Sequence, residues 1–323
     1  MLNEFGSHCL AATFVGGRPA FALADGTVRR IGAGPGADSV RVHADASLAA
    51  VTVAGDDALL TSGEDGRVCR LGASGEPREV GAVPRKWVTA VGERRGRLAY
   101  ASGKTVWLHA GAEARAISHA RGVKGIAFSD DGARLAVAQQ DAVSVHDVDA
   151  AAAPLELAWN DIHVASTFSP DGRFLVVASQ SCFLHGWRLA DRKHFRMLGY
   201  PGRIGDWSWS PDGVLLATAG AAAAIAWPFD GDDGPMTRGA FEIAPREGRK
   251  VTALAWRPSP ARSLAIGWDD GAVQLASFDE PQAARPLRAG GRAAISSIAW
   301  NGDGTLVAFG SAGGECGALE AGA

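Results

Sequence analysis

The sequence predicts an all-β chain built from eight repeated four-stranded units, and three observations predict it. A short phrase recurs, as FSDDGARLAVAQ from Phe128, FSPDGRFLVVAS from Phe168, WSPDGVLLATAG from Trp209 and WNGDGTLVAFGS from Trp300. Each copy is an aromatic residue, a polar turn with glycine and an apolar run, the pattern of a β-hairpin. Turns of this kind recur at roughly 40-residue spacing along the whole chain, a period that holds four short strands. The composition agrees: 47% hydrophobic residues with 42 glycines describe a globular chain rich in turns.

Within each unit the first strand ends on the aromatic, as in IAF, STF, LAW and IAW. The first turns fall near Gly17, Asp56, Arg95, Asp131, Asp171, Asp212, Ala261 and Asp303. The apolar run that follows (RLAVA, FLVVAS, LLATAG, LAIGW) is the second strand. A second set of turns, near Asp25, Asp65, Gly103, Asp141, Ser181, Ala221, Asp270 and Gly313, keeps step and opens the third strand, as in DGTVRRIG at 25–32 and DGAVQLAS at 270–277. A weaker fourth run comes next, as in REVGAV, ARAIS, LELAW and RPLRA. Units three and six have the least strand-like sequences, so seven units is the alternative count.

A four-stranded unit of this period is the blade of a β-propeller. The expectation is one propeller domain over residues 1–323, with eight blades. Unit eight supplies three strands, and the N-terminal MLNEF supplies a spare one, so the ring is expected to close by pairing the N-terminal strand with the last blade. Closure leaves only short strand edges exposed. The aromatics that end the first strands (Phe14, Phe128, Phe168, Trp209, Trp256, Trp300) are the expected anchors between blades, because each has a large apolar area to bury.

FSPDGRFLVVAS and DGRVCRL resemble the repeats of the WD-repeat family of β-propellers, in a degenerate form with a bacterial flavour, and the likeness covers essentially the whole chain. The Trp-Asp pair of that family is missing; His146 and Asp147 stand in its place in unit four. The resemblance implies a binding platform. It also assigns His43, Ser62 and Asp65 to a structural network that pins a turn within a blade; Asp25 and Asp270 are expected to cap turns in a related way, since Asp tolerates turn geometry and bonds nearby backbone N–H groups.

Composition and motifs exclude several functions. A net charge of −3 gives no general grip on nucleic acid. Apolar runs break well before the ~20 residues of a membrane helix, and the N-terminus carries Glu4 without a basic start, so a cytoplasmic protein is expected. His43, Ser62 and Asp65 have the residue types of a hydrolase triad, but no GxSxG elbow accompanies them. No glycine-rich phosphate loop is present, so neither catalytic residues nor cofactors are expected. Cys9, Cys69, Cys182 and Cys316 form no CxxC pair and read as buried thiols. Cys182 and His185 are three apart, on opposite faces if in a strand, so no metal site is expected.

The remaining signal is charge in the segments joining one unit to the next. Arg85 and Lys86, Arg121 and Lys124, His163, Arg203, Arg249 and Lys250, and Arg292 fall there, whereas the opposite turns are rich in Asp. Turn geometry does not call for Arg or Lys, and loops on a rigid scaffold commonly carry recognition. Trp87, Trp159 and Trp268 fall near strand ends and read as exposed anchors of the kind that dominate binding. The expected function is a non-enzymatic, monomeric scaffold that binds a protein partner or acidic peptide on this surface. The alternatives are a metal-homeostasis accessory protein using scattered His and Cys, and a propeller enzyme or small-ligand binder with a site at the central channel.

Overall fold

The repeated phrase folds as a tight hairpin turn locked by its own side chains. The Ser129 hydroxyl donates to Asp131 Oδ1 at 2.5 Å and accepts from the Arg134 amide, while the Ala133 amide donates to the same carboxylate. Ser169 with Asp171 and Ser210 with Asp212 repeat the geometry, and in the last copy Asn301 takes the serine's place, accepting from the Leu306 amide. The glycine after each Asp has a positive φ (Gly132 72°, Gly172 69°, Gly213 73°, Gly304 70°), the left-handed conformation that glycine adopts without steric cost. Asp25 and Asp270 cap the second turns of their units in the related way, accepting from the amides of Thr27 and Ala272.

The computed structural model describes all residues except 1, 33–36, 54–56, 112–113, 259–261 and 323, and the side chain of residue 37. The expected turns at Asp56 and Ala261 lie outside the described residues. Among those described, the protein is all-β without a helix, in seven antiparallel sheets, six of four strands and one of seven. They divide into two compact units, one of Met1–Arg41 with Tyr200–Ala323, the other of Val42–Gly199.

The first unit holds four four-stranded sheets. Three are meanders in chain order, beginning at Cys9–Val15, Trp207–Trp209 and Val251–Trp256. The fourth combines Ile295–Trp300, Leu306–Ser311 and Glu315–Glu320 with the N-terminal Leu2–Glu4, which pairs antiparallel to the last strand through Asn3 and Cys316. The terse sixth repeat therefore forms its sheet, Trp207–Trp209 to Phe241–Ile243. The second unit has meanders beginning at Ser47–Val53 and Ala90–Arg94, the latter being the terse third repeat, and then the seven-stranded sheet.

That larger sheet departs from the sequence reading. The fourth strand of one repeat and the first strand of the next run on as one 14-residue strand, Leu155–Phe168, paired first with Gln140–Asp147 and then with Phe174–Ser179. The sequence pattern makes Trp159 to His163 a connecting loop. It is strand, because the segment has no glycine or proline to break the extended chain and register shifts on both sides absorb the bend.

The cores lie between successive four-strand groupings, including the two halves of the seven-stranded sheet. Leu98 and Tyr100 pack with Leu60 and Val68, Leu135 and Val137 with Ala99 and Leu108, and Leu175 and Val177 with Val143 and Leu157. The aromatics at the first-strand ends join neighbours as expected: Trp256 Nε1 donates to the Ser208 carbonyl at 3.1 Å and Trp300 Nε1 to the Ala255 carbonyl at 2.9 Å. Burial of one such side chain stabilises by about 1.5–3 kcal/mol.

Candidate functional site

A turn network orients the segments between sheets. His43, fully buried, bonds Asp65 Oδ1 through Nδ1 at 3.0 Å and Thr61 Oγ1 through Nε2 at 2.9 Å. Asp65 also accepts from the amides of Ala44 and Arg67. Burial opposes the charge on Asp65, but those amides and His43 hold its carboxyl below the usual range. Burial likewise holds the His43 imidazole below its ordinary value despite Asp65. The expected third member is corrected: neighbours on a strand face opposite ways, so Thr61 meets the histidine, and Ser62 donates instead to the Val88 carbonyl at 2.9 Å. The Ser62 hydroxyl is thus spent on the Val88 carbonyl, and it is the Thr61 hydroxyl that meets the His43–Asp65 pair.

That Ser62 bond fixes the segment Pro84–Val88. The Val83 amide donates to the Gly66 carbonyl, the Lys86 amide to Val83 and the Val88 amide to Gly63. Gly66 is required here: a Cβ on it would sit 2.4 Å from the Val83 carbonyl oxygen. Arg85 takes a left-handed φ of 61°, a strained conformation for a residue with a Cβ. The result is a braced turn that presents Arg85, Lys86 and Trp87 to solvent, the indole 58% exposed. Neither cation has an acidic partner among the described residues.

The other expected binding residues divide into three groups. Lys124 and Arg203 are exposed and Lys250 is half-buried, all without an ion pair among the described residues. Arg121, Arg249 and Arg292 are exposed but carry carboxylates, Asp141 at 2.5 Å, Asp270 at 3.4 Å and Glu4 at 3.2 Å. The third group is a correction. Trp268 is fully buried, packed with Trp256 and Ile266, with the Arg246 guanidinium 4.7 Å from its ring centroid. His163 is fully buried too, bonded through Nε2 to the Trp159 carbonyl, and Trp159 is half-buried against His185. Continuous strand and sheet packing turn Trp268 and His163 fully inward and leave Trp159 half-buried, so none of the three is an exposed anchor.

Among the described residues no three His, Cys, Asp or Glu side chains cluster as a metal site, and Cys182 is exposed in a turn while His185 is buried. No described helix is long and apolar enough to cross a membrane.

The second unit also holds a cleft of roughly 670 Å³ that no sequence motif marks. One wall is the strand Ala114–Ser118 and its continuation through Arg121; the other includes Gln140, Asp141, His146 and Glu156. His119 and His146 meet there edge to face, with ring centroids 5.3 Å apart. Burial lowers both imidazoles, His146 to about 4, so both are neutral near pH 7. Burial at the wall pushes the Glu156 carboxyl up. These residues come from separate stretches of the chain and share no spacing, which is why no motif marks them.

No family model matches the chain, and no curated protein matches it. Among solved structures it is similar to the crystal structure of the computationally designed Ika8 protein, at 15% identity over 98% of this chain and 98% of that one, with a TM-score of 0.77. At that identity the likeness is one of fold: repeated antiparallel sheets consistent with a β-propeller.

Proposed function

We propose that the chain is a WD-repeat-like β-propeller of eight blades, a cytoplasmic, non-enzymatic scaffold that binds the acidic surface of a protein partner through segments joining successive blades. Four-strand groupings in step with all eight sequence repeats support the fold reading, as does the pairing of Leu2–Glu4 with Glu315–Glu320. The observation that carries the functional reading is the braced turn at Arg85–Lys86–Trp87, where two cations without acidic partners among the described residues precede an exposed tryptophan. Tryptophan and arginine are the residues that dominate binding energy at interfaces, and positive charge steers acidic surfaces toward them. A turn already fixed by Ser62 and Gly66 has little conformational entropy left to lose on binding.

The test is quantitative affinity capture with the wild-type chain and with Arg85→Glu/Lys86→Glu/Trp87→Ala. Partners that the wild type retains and the variant loses support the reading. Identical capture by both would end the role of this surface.

A further inference from the structure

We propose that the cleft beside Ala114–Ser118 binds an extended peptide, which adds as a strand to the open edge and sets a carboxylate against Arg115. This goes beyond the scaffold reading and uses a different surface.

Ala114–Ser118 is the last strand of its sheet and has a partner on one side, Thr105–His109. The His119 amide donates to the Lys104 carbonyl, next to the pair Thr105 and Ser118. Hydrogen-bonded and non-bonded pairs alternate in an antiparallel ladder. The backbone groups of Ile117 and Arg115 therefore bond inward, while those of Ala116 and Ser118 point out of the sheet. Neither outward set has a partner among the described residues, and both residues line the cleft. An alternating row of free N–H and C=O groups is the template that peptide strand addition uses. A small ligand would match one such pair; a peptide backbone matches the row.

Charge supplies the second requirement. Arg115 Nη1 and Nη2 donate to the carbonyls of Ala150 and Asp147, which hold the guanidinium in place at 2.5 and 2.8 Å. No carboxylate lies within ion-pair distance of it among the described residues, so its charge is not neutralised. Arg121 in the same lining is already paired with Asp141. On the Arg115 face of the strand, two residues beyond Ile117, His119 has its Nε2 buried without a partner, and a peptide oxygen would satisfy it. The cleft's volume lies within the range of ligand sites, about 300–1,000 Å³.

The experiment selects binders to the full chain from a displayed library of short random linear peptides, then measures the selected peptide against three variants. Ser118→Pro removes one outward N–H while leaving the inward bonds of Ile117 and His119, and an edge strand tolerates proline at such a position. It should weaken the peptide by about tenfold or more. Arg115→Met should weaken it by about tenfold, and much less for the counterpart in which its carboxylate is an amide. Arg85→Glu/Lys86→Glu/Trp87→Ala should bind as wild type.

Hydrogen exchange on the unaltered chain reads the same contact independently, and decides if Ser118→Pro fails to fold: the peptide should slow exchange at the amides of Ala116 and Ser118. Failure to select any peptide overturns the proposal, as does equal binding to Ser118→Pro or protection that spares these two amides. A peptide lost only with the Arg85, Lys86 and Trp87 changes also overturns it, while leaving the scaffold reading in place.

Discussion

His185 lies flat against Trp159, with ring centroids 3.9 Å apart, and neither of its ring nitrogens has a hydrogen-bond partner among the described residues. Trp187 and His194 close around the same imidazole at 4.5 and 5.3 Å. A polar ring is thus held as an apolar plate would be. His185→Phe should keep the stacking and remove the cost of two buried unbonded nitrogens. The phenyl ring is somewhat larger, which offsets part of the gain, so the expected stabilisation is about 1 kcal/mol. The denaturant midpoint should rise. A fall would mean that the nitrogens are hydrated.

Stability should decline as the solution is acidified from neutrality. Burial, with the charges of neighbouring groups, lowers His185 to about 3 and His146 to about 4, against about 6.5 in an unfolded chain. Below about pH 6.5 the unfolded chain takes up protons that the folded chain refuses, so these groups remove stability progressively as pH falls toward their folded values. Asp206 acts in the other direction. Burial pushes its carboxyl up to about 7, so its contribution is present at low pH and is lost as pH rises from the unfolded carboxyl value toward 7. A roughly tenfold change in proton affinity on folding is worth about 1.4 kcal/mol, and two histidines outweigh one carboxyl. Urea midpoints should therefore be lower at about pH 5 than at about pH 7.5, and His146→Gln with His185→Phe should flatten the profile. An unchanged slope in the double variant would assign the acid sensitivity to other groups.

The hairpins were legible because their determinants are local. Ser129, Asp131 and Gly132 make one turn within four residues, so the sequence phrase is the structure. The pairing of Leu2–Glu4 with the last strand was legible by counting strands. What depended on side-chain direction was not. By sequence Trp268 falls at a strand end and His163 in a connecting segment, and both are fully buried: Trp268 continues the inward alternation of Leu264 and Ile266, and His163 sits at a register shift within a continuous strand, where the facing of a side chain is reversed. The cleft was invisible for a related reason: Arg115 and His119 meet His146 and Glu156 across separate strands, and only the third dimension brings them together.

The His43 network permits a sharper test of strand direction. His43 reaches Asp65 and Thr61, while Ser62 bonds the Val88 carbonyl on the other side of the strand. Residues in one network couple energetically, and residues without shared partners add. His43→Gln with Thr61→Val should show a coupling energy of about 0.5–2 kcal/mol, and His43→Gln with Ser62→Ala should be additive within about 0.5 kcal/mol. Denaturant melts of the singles and doubles read both. The reverse pattern would return Ser62 to the network.

Thiol chemistry should separate one cysteine from the other three. Cys182 is exposed in its turn, whereas Cys9, Cys69 and Cys316 are buried. Burial pushes the Cys69 thiol up to about 11, and the adjoining Cys316 thiol, with burial, raises Cys9 well above its ordinary value. The thiolate is the reactive form, so both access and ionisation protect these groups. Alkylation of the native protein followed by mass spectrometry should place one label, at Cys182, and Cys182→Ser should leave the native chain unlabelled. Denaturant should release the remaining three. Rapid native labelling at Cys9 or Cys316 would mean that the sheet closed by Leu2–Glu4 opens readily in solution, because the pair Asn3 and Cys316 sits in that seam.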